Sequence, residues 1–374
     1  MRKTALLSAL ALVLGLPASA AALPAFGHNA LRAEGLADFD VGLFDLDQMS
    51  QMNAGLYRAR FRQDRVGSNG SYTNWTQLDN LARQASVRGV TLVPVLISLR
   101  GEVSYDAPKT PQARDEFATF AAAAVTRYGP KGSFWSSCGC PKQPVRVWEV
   151  WNEANFSLYW DGTPNPTEFA LLVQAVRAKI RSVDSTARIM LGGLGYASSY
   201  DGVNSVEPNG YLRDVISVIG RDGFDALALH SYHSDPNRGV NTALAGTIQT
   251  LKAYGGTQSG GRPRHQVWVN EFGKLTRRDD PATPSVNEQT TSETSQLNWL
   301  NGFLDRLLPN RAAWNLGPVF WYAMRDSHIQ TEDWNRLGLR RTNSDDTDGG
   351  AKPAWDAYAS RSLSSQPVSL PTVR

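Results

Sequence analysis

Residues 90–97 read VTLVPVLI, a near-continuous apolar run. Such a run is typical of a strand that is buried on both faces, as strands in parallel sheets are. The patterns on either side of it are helical, over residues 75–88 and 111–128, and Pro111 and Gly129 stand where the second helix should begin and end. A buried strand between two amphipathic helices is the repeating unit of an α/β fold.

The same alternation of strand and helix continues along the chain. It predicts strands at residues 39–44, 55–61, 90–97, 145–151, 187–191, 224–229, 266–269 and 317–322, and further helices at 166–183, 211–219, 240–254, 287–308 and 354–360. Repeated β-α units imply parallel strands, and eight of them favour closure into a (β/α)8 TIM barrel. A doubly wound open sheet is the alternative. No G-x-G-x-x-G loop follows the first predicted strand, which counts against a dinucleotide-binding sheet.

The two ends of the chain differ in composition from the alternating region. Arg2 and Lys3 precede an apolar run over residues 5–16, and Ala18-Ser19-Ala20 has the pattern of a cleavage site. We therefore predict a signal peptide at residues 1–22 and a secreted or periplasmic protein, with a buried helix as the alternative. The run is too short for a stable membrane anchor. Residues 23–360 are predicted to form one barrel domain, followed by a loosely ordered tail at 361–374.

Charge and cysteine content argue against several classes of partner. The 374 residues carry 38 Lys and Arg against 35 Asp and Glu, a formal net charge of +3, which does not favour nucleic acid or an anionic membrane. The two cysteines are Cys138 and Cys140, and export makes a disulfide between them preferable to free thiols. No His or Cys pair nearby completes a zinc site, and we expect neither a metal nor a cofactor. The sequence does not indicate the oligomeric state.

Two glutamates stand at the carboxyl ends of predicted strands, which is where barrel enzymes place their active sites. The fourth strand ends in VRVWEVWNEAN (145–155), which contains Asn152 and Glu153, and the seventh ends in VWVNEFG (267–273), which contains Glu271. Three β-α units separate the two carboxylates, so they should face each other across the mouth of the barrel. Hydrolysis of a glycosidic bond requires such a facing pair.

In these motifs the chain resembles the glycoside hydrolases of clan A, and within the clan those near families five and thirty-nine. Trp151-Asn152-Glu153 is similar to the clan's acid/base signature, and Asn270-Glu271-Phe272-Gly273 resembles its nucleophile segment. Ala154 departs from the pattern, because proline commonly follows the glutamate. The resemblance implies a retaining hydrolase of an oligo- or polysaccharide, usually a β-linked one. It assigns Glu153 as general acid/base and Glu271 as nucleophile.

Positions on other strands extend the resemblance. Arg58 is similar to the strand-two arginine beside the nucleophile, although Arg60 would share its face of a regular strand. A nearby arginine would favour the ionised form of Glu271. His230 and Tyr232 resemble the strand-six residues of the pocket, and Tyr232 is expected to donate a hydrogen bond to Glu271.

Three residues are expected to contact the sugar itself. By resemblance, Asn152 binds the 2-hydroxyl, a contact that strengthens in the transition state. Trp321 is similar to the strand-eight aromatic that lies under the sugar ring. Trp334, in the long segment after strand eight, is a further candidate because that segment should border the cleft.

Two other functions are compatible with the sequence. A carbohydrate-binding barrel without turnover would keep the same cleft. A metal-dependent barrel hydrolase would use His230, His233 and nearby acids as ligands. A chelator would inactivate the metal enzyme and leave a glycosidase unaffected, so the two are easily separated. In the favoured interpretation the partner is a carbohydrate substrate.

Overall fold

The computed structural model describes residues 22–29, 43–101, 104–197, 199–276, 292–326, 336–343 and 347–374. Within these ranges, eight strands close into a barrel in which every neighbouring pair is parallel. In chain order they are β1 Phe26–Asn29, β2 Leu56–Arg62, β3 Thr91–Ile97, β4 Val147–Val150, β5 Arg188–Leu194, β6 Ala226–Ser231, β7 Gln266–Phe272 and β8 Leu316–Trp321. The predicted (β/α)8 TIM barrel is confirmed.

Helices surround the barrel. They are α1 Leu43–Gln51, α2 Thr76–Ser86, α3 Pro111–Tyr128, α4 Pro166–Val183, α5 Pro208–Ile219, α6 Ala245–Thr250, α7 Glu293–Leu307 and α8 Pro353–Leu363. The π-helical turns Gly239–Leu244 and Leu251–Gly255 extend α6 at both ends. Among the described residues, no helix combines the length and hydrophobicity that crossing a bilayer requires.

Shorter elements fill the connections. The short helices are Gln63–Val66, Ser133–Ser137, Ser157–Trp160 and Pro236–Arg238, and the 3-10 turns are Ser259–Gly261 and Leu308–Asn310. Antiparallel pairs join Gly67–Ser68 to Ser71–Tyr72, Leu99–Arg100 to Ser104–Tyr105, and Arg340–Thr342 to Asp348–Ala351.

Local sequence signals set the helix ends. Thr110 caps α3, because its side chain accepts a hydrogen bond from Ala113 N at 3.1 Å. Asn165 caps α4 in the same way, with Glu168 N at 3.1 Å. Such a cap stabilises a helix by about 1 kcal/mol. A proline follows each cap, at a position whose N–H has no partner within the helix.

An aromatic layer between strands and helices holds the strands that carry the site. Phe61 of β2 packs edge-on against Tyr128 of α3, with ring centroids 5.6 Å apart, and against Trp148 of β4 at 6.4 Å. All three are fully buried. Burying one such side chain contributes roughly 1.5–3 kcal/mol, so this layer fixes β2 and β4 firmly against α3.

The first barrel strand is not where the sequence pattern placed it. The prediction put a strand at residues 39–44, whereas β1 is Phe26–Asn29 and α1 begins at Leu43; residues 39–42 lie outside the described ranges. The prediction was wrong because the four residues FGHN contain one large apolar side chain and show no strand pattern of their own. Gly27 is required in β1, since a Cβ there would lie 2.6 Å from the Leu56 carbonyl oxygen.

The C-terminal tail, which we expected to be loosely ordered, lies against the amino-terminal end of the barrel. Val368–Ser369 pairs antiparallel with Ala22–Leu23. The Arg374 N–H donates to the Asp225 carboxylate, and the Arg374 carbonyl accepts hydrogen bonds from Arg177 and Arg181. These bonds satisfy backbone groups that a loose tail would leave to water.

The two cysteines are joined. Cys138 and Cys140 follow the short helix Ser133–Ser137 and form a disulfide with an S–S distance of 2.10 Å. Gly139 between them has a φ of 63°, which glycine adopts without steric cost. The structure therefore contains the bridge that the sequence analysis preferred over free thiols.

Candidate active site

A sharp turn after β4 brings Glu153 to the mouth of the barrel. Trp151 and Glu153 both have positive φ values, 68° and 40°, which are uncommon for residues with a side chain. Backbone hydrogen bonds hold the turn, from Trp151 N to Leu96 O at 3.0 Å and from Glu153 N to Gly193 O at 2.9 Å. Strained backbone of this kind persists where neighbouring structure over-determines it, often at functional sites.

Glycines on β5 and just after it make room for this turn. A Cβ at Gly195 would lie 2.6 Å from the Glu153 carboxylate, and one at Gly193 would lie 1.8 Å from Nε2 of His230. Both distances are far inside van der Waals contact. The sequence GGLG at 192–195 therefore permits the close approach of β5 to the side chains above it.

The two predicted glutamates meet across the barrel mouth. Glu153 and Glu271 are 8% and 7% exposed. His230 lies between them, with Nδ1 2.7 Å from Oε1 of Glu153 and 3.5 Å from Oε2 of Glu271. One oxygen of each carboxylate lies within 4.8 Å of the other. This upper limit on the distance between the two oxygens is well below the roughly 6.5–9.5 Å between the carboxyl groups of inverting glycosidases, and it fits the roughly 5–5.5 Å of retaining ones.

Polar contacts favour the ionised form of Glu271. Arg58 Nη1 donates to Oε1 at 2.6 Å, and the Tyr232 hydroxyl donates to Oε2 at 2.6 Å. Burial alone would raise the pKa of Glu271, but His230, Arg58 and the Tyr232 hydrogen bond outweigh it, so the pKa is lowered. The contacts of Arg58 and Tyr232 are those that the sequence analysis expected.

Arg58 hydrogen-bonds to Glu271, and the charge of Arg60 also helps to lower the pKa of Glu271. Arg58 is 6% exposed, and its Nη2 also donates to Oδ1 of Asn152 at 2.8 Å. Two further hydrogen bonds from Arg58 reach Glu149, with Nε 2.6 Å from Oε2 and Nη2 2.8 Å from Oε1. Arg60 lies on the same face of β2 and lines the pocket beside Arg58.

Sequence analysis missed Glu149. This side chain is fully buried in β4 and pairs with an arginine on another strand. A signal was present, because a glutamate stands in the middle of the apolar run VRVWEVW. Burying a charge is costly unless an opposite charge or hydrogen bonds compensate it. A glutamate at such a position therefore predicts a buried ion pair.

The pocket in front of Glu271 is lined mainly by aromatic and polar side chains. It is formed by Arg58, Arg60, Val95, Ile97, Tyr105, Asn152, Tyr159, Glu271 and Tyr322. The Tyr105 hydroxyl is buried and has no hydrogen-bond partner among the described residues. It is therefore available to a polar ligand. The three tyrosines were not predicted: Tyr105 and Tyr159 lie in short elements of the connections after β3 and β4, and Tyr322 directly follows β8.

The prediction for Trp321 was wrong. Trp321 is fully buried in β8, its Nε1 donates to the Leu337 carbonyl at 2.8 Å, and its ring packs against Phe272 at 5.4 Å. It is a core residue. Tyr322, one position later, lines the pocket instead, because successive side chains of a strand point to opposite faces. Trp334, the other aromatic candidate, lies outside the described residues.

The two histidines proposed as metal ligands are not brought together. His233 Nδ1 accepts a hydrogen bond from Asp235 N at 3.1 Å. Among the described residues, the group with metal-binding spacing is Glu153, His230 and Glu271. The Arg58 guanidinium already contacts Glu271, so a cation would have to bind next to a positive charge. This geometry does not suit the metal-dependent alternative.

Solved structures share this barrel. A family 39 glycoside hydrolase from the gut symbiont Bacteroides cellulosilyticus WH2 has a TM-score of 0.63 at 18% identity, over 91% of this chain and 63% of that one. A monomeric β-xylosidase from Caulobacter crescentus CB15 has 0.57 at 13% identity, over 88% and 66%. A GH39 enzyme from Xanthomonas axonopodis pv. citri has 0.56 at 14%, over 85% and 62%. The chain has the fold of these enzymes.

The likeness is one of fold. This chain spans 63% of the length of the Bacteroides enzyme and 62% of that of the Xanthomonas enzyme. No family model matches the sequence, and no curated protein matches it either. A barrel supports many chemistries, so function has to be argued from the geometry of the site.

Proposed function

We propose that this protein is a retaining glycoside hydrolase. One observation carries the proposal, which is the buried pair of Glu153 and Glu271 with one oxygen of each carboxylate within 4.8 Å of the other. A retaining mechanism requires two carboxylates at such a distance, one able to attack and one able to transfer a proton. The lowered pKa of Glu271 suits the attacking group, because it must be ionised.

The reaction follows from this arrangement in two steps. Glu271 attacks the anomeric carbon while Glu153 gives its proton to the departing glycosidic oxygen, which leaves a covalent glycosyl-enzyme. Glu153, now ionised, then takes a proton from a water molecule. The resulting oxygen nucleophile releases the sugar from Glu271, and both carboxylates return to their starting states.

Asn152 is the proposed contact for the sugar 2-hydroxyl. Its Oδ1 accepts the hydrogen bond from Arg58, and the side chain lines the pocket. With the oxygen engaged, the amide N–H groups are left to face a ligand. Tyr322 and Tyr105 would supply the aromatic and hydroxyl contacts at the same sugar.

The substrate and the location of the enzyme are part of the proposal. We infer an oligo- or polysaccharide substrate with a β-linkage, as in the clan that the motifs resemble. Export to the periplasm or the medium would follow from the signal peptide at residues 1–22, of which 1–21 lie outside the described ranges. Polymeric glycans are met outside the cytoplasm, so export and substrate are mutually consistent.

Azide products from two variants test the roles of the glutamates. Glu271→Ala should abolish turnover of an aryl glycoside with a good leaving group, and azide in the vacated space should give an azide of inverted configuration. Glu153→Ala should still form the glycosyl-enzyme, since a good leaving group needs little protonation, and azide should release a product of retained configuration. Product anomers are measured by NMR.

The control is Glu116→Ala, which removes a surface carboxylate on α3 and should leave turnover unchanged. Exchanged anomers would reverse the two roles. Full activity of both Glu271→Ala and Glu153→Ala on an unactivated glycan would overturn the proposal. Binding without turnover by the unmodified protein, across a panel of polysaccharides, would instead identify a non-catalytic binding barrel.

A further inference from the structure

Glu149 accepts four hydrogen bonds, two at each of its carboxylate oxygens. Two come from Arg58 Nε and Nη2, as described above. The others come from Gly193 N to Oε1 at 3.0 Å and from Asn270 Nδ2 to Oε2 at 2.9 Å. Each oxygen therefore receives two donors, which uses both of its lone pairs.

These donors come from three other strands that carry the site. Arg58 lies on β2, Gly193 on β5, and Asn270 on β7 directly before Glu271. Gly193 also accepts the backbone N–H of Glu153 at 2.9 Å. One buried side chain thus connects the segments that position both proposed catalytic glutamates.

The Arg58 guanidinium lies between two carboxylates. It donates through Nε and Nη2 to Glu149 and through Nη1 to Glu271. The two N–H groups directed at Glu149 make a bidentate pair, which fixes both the position and the plane of the guanidinium. Its single positive charge is shared between the two anions.

We propose that Glu149 is a positioning residue for the glycosidase reaction. It holds Arg58 in the plane from which Nη1 reaches Glu271, and it takes up part of the arginine charge. Glu271 is then ionised without being paired so strongly that its oxygen loses nucleophilicity. This inference rests on the proposed function and deepens it, because it assigns a role to a side chain that does not touch the substrate.

Among the described residues, several elements place titratable or charged groups around Glu271. Arg58 and Arg60 come from β2, Glu153 from the turn after β4, and His230 and Tyr232 from β6 and its loop. Tyr105, Tyr159 and Tyr322 come from the connections around the pocket, and Glu149 of β4 is linked to Glu271 through Arg58. Among these, Glu149 and Glu153 are the carboxylates. Removing the Glu149 charge leaves the cations unopposed on that side and should lower the pKa of Glu271 further.

Glu149→Gln is the first test. The glutamine NH₂ group would replace one of the two carboxylate oxygens. At the position of Oε1 it would face the N–H donors of Arg58 and Gly193, and at the position of Oε2 those of Arg58 and Asn270. We expect kcat/KM for an aryl glycoside to fall roughly 10- to 100-fold, as for other groups that orient a functional side chain. The acid limb of the kcat/KM pH profile should move down by about one pH unit, because a negative charge near Glu271 is gone.

Asp225→Asn is the matched control. Asp225 is also buried, pairs with Arg181 at 2.6 Å, and accepts a backbone N–H from β5, that of Ile189, at 2.7 Å. It lies at the opposite end of the barrel. Its loss should lower the melting temperature without moving the acid limb. Circular dichroism of both variants defines the pH range in which they are folded. If the acid limb of a folded variant lies at a pH below that range, it has moved to lower pH.

Glu149→Asp separates charge from geometry and covers the case in which Glu149→Gln does not fold. It keeps the charge but is one methylene shorter, so kcat/KM should fall while the acid limb stays in place. A limb that is unchanged or higher in Glu149→Gln, or a wild-type kcat/KM in Glu149→Asp, would overturn the inference. Failure of the proposed function is distinguishable, since either the unmodified protein would show no turnover or Glu271→Ala would keep the turnover of the unmodified protein.

Discussion

Glu271 is buried among groups that stabilise its charge. Arg58 and Tyr232 each place a donor 2.6 Å from one of its oxygens, and these contacts together with His230 outweigh the effect of burial on its pKa. The pKa therefore lies below the ordinary value of 4.5. A lowered pKa means that Glu271 stabilises the fold above its unfolded pKa, and that this stabilisation is lost as the pH falls through the folded pKa.

Tyr232→Phe tests this account at the scale of one residue. It removes a hydrogen bond that the charged form accepts, so the pKa of Glu271 should rise. The acid limb of kcat/KM should then move to higher pH by about one pH unit. Tyr254→Phe, at a tyrosine that is 50% exposed, is the control and should leave the profile in place. If the limb does not move in Tyr232→Phe, the hydrogen bond does not govern ionisation of Glu271.

At the scale of the element, β5 shapes the site because two of its residues are glycines without side chains. Its glycines at 192 and 193 present no side chain toward the turn after β4 or toward β6. The His230 ring lies directly against Gly193, and His230 is fully buried. Neither the backbone of β5 nor the His230 ring therefore has space to shift. Close packing of this kind makes a single added methyl group costly.

Gly193→Ala should therefore displace His230 from the two carboxylates. Its new Cβ would lie 1.8 Å from Nε2. A misplacement of about 1 Å near reacting groups lowers activity roughly 100-fold, which we expect for kcat/KM here. Gly246→Ala in α6 is the control, because its Cβ would meet Asn209 at an ordinary 3.6 Å. Wild-type kcat/KM in Gly193→Ala would show that the position of His230 is not needed.

At the scale of the whole molecule, the two ends of the barrel carry different buried charges. Glu149, Glu153 and Glu271 lie toward the carboxyl ends of the strands, where barrel enzymes act. Asp225 lies at the amino-terminal end, where it contacts Arg181 and the backbone of Arg374. Buried charges at that end are expected to serve stability.

Asp225→Asn should accordingly separate stability from activity. Removing one partner of a buried ion pair leaves the other charge uncompensated, so the free energy of unfolding should fall by about 3 kcal/mol. Chemical denaturation measures this change, and kcat/KM at a temperature where the variant is folded should match that of the unmodified protein. A large loss of kcat/KM in the folded variant would contradict the division between the two ends.

The sequence by itself determined the barrel and the two glutamates. Apolar runs such as 90–97, alternating with helical patterns, are local signals, and local periodicity is what the backbone geometry of strands and helices imposes. Because Glu153 and Glu271 stand at the ends of the fourth and seventh strands, the sequence placed both at the same end of the barrel. The contacts of Arg58 and Tyr232 with Glu271 followed from resemblance and agree with the structure.

The tertiary structure alone decided the features that depend on closure of the barrel. β1 is a strand because β2 and β8 pair with it, and FGHN shows little of this in its own pattern. Trp321 and Tyr322 differ by one position, and only strand register decides which of them faces the pocket. Glu149 receives its donors from Arg58, Gly193 and Asn270, on three other strands. A charged residue within an apolar run can be recognised in a sequence. Its partners depend on how strands that are far apart in the chain pack together, and only the tertiary structure determines that.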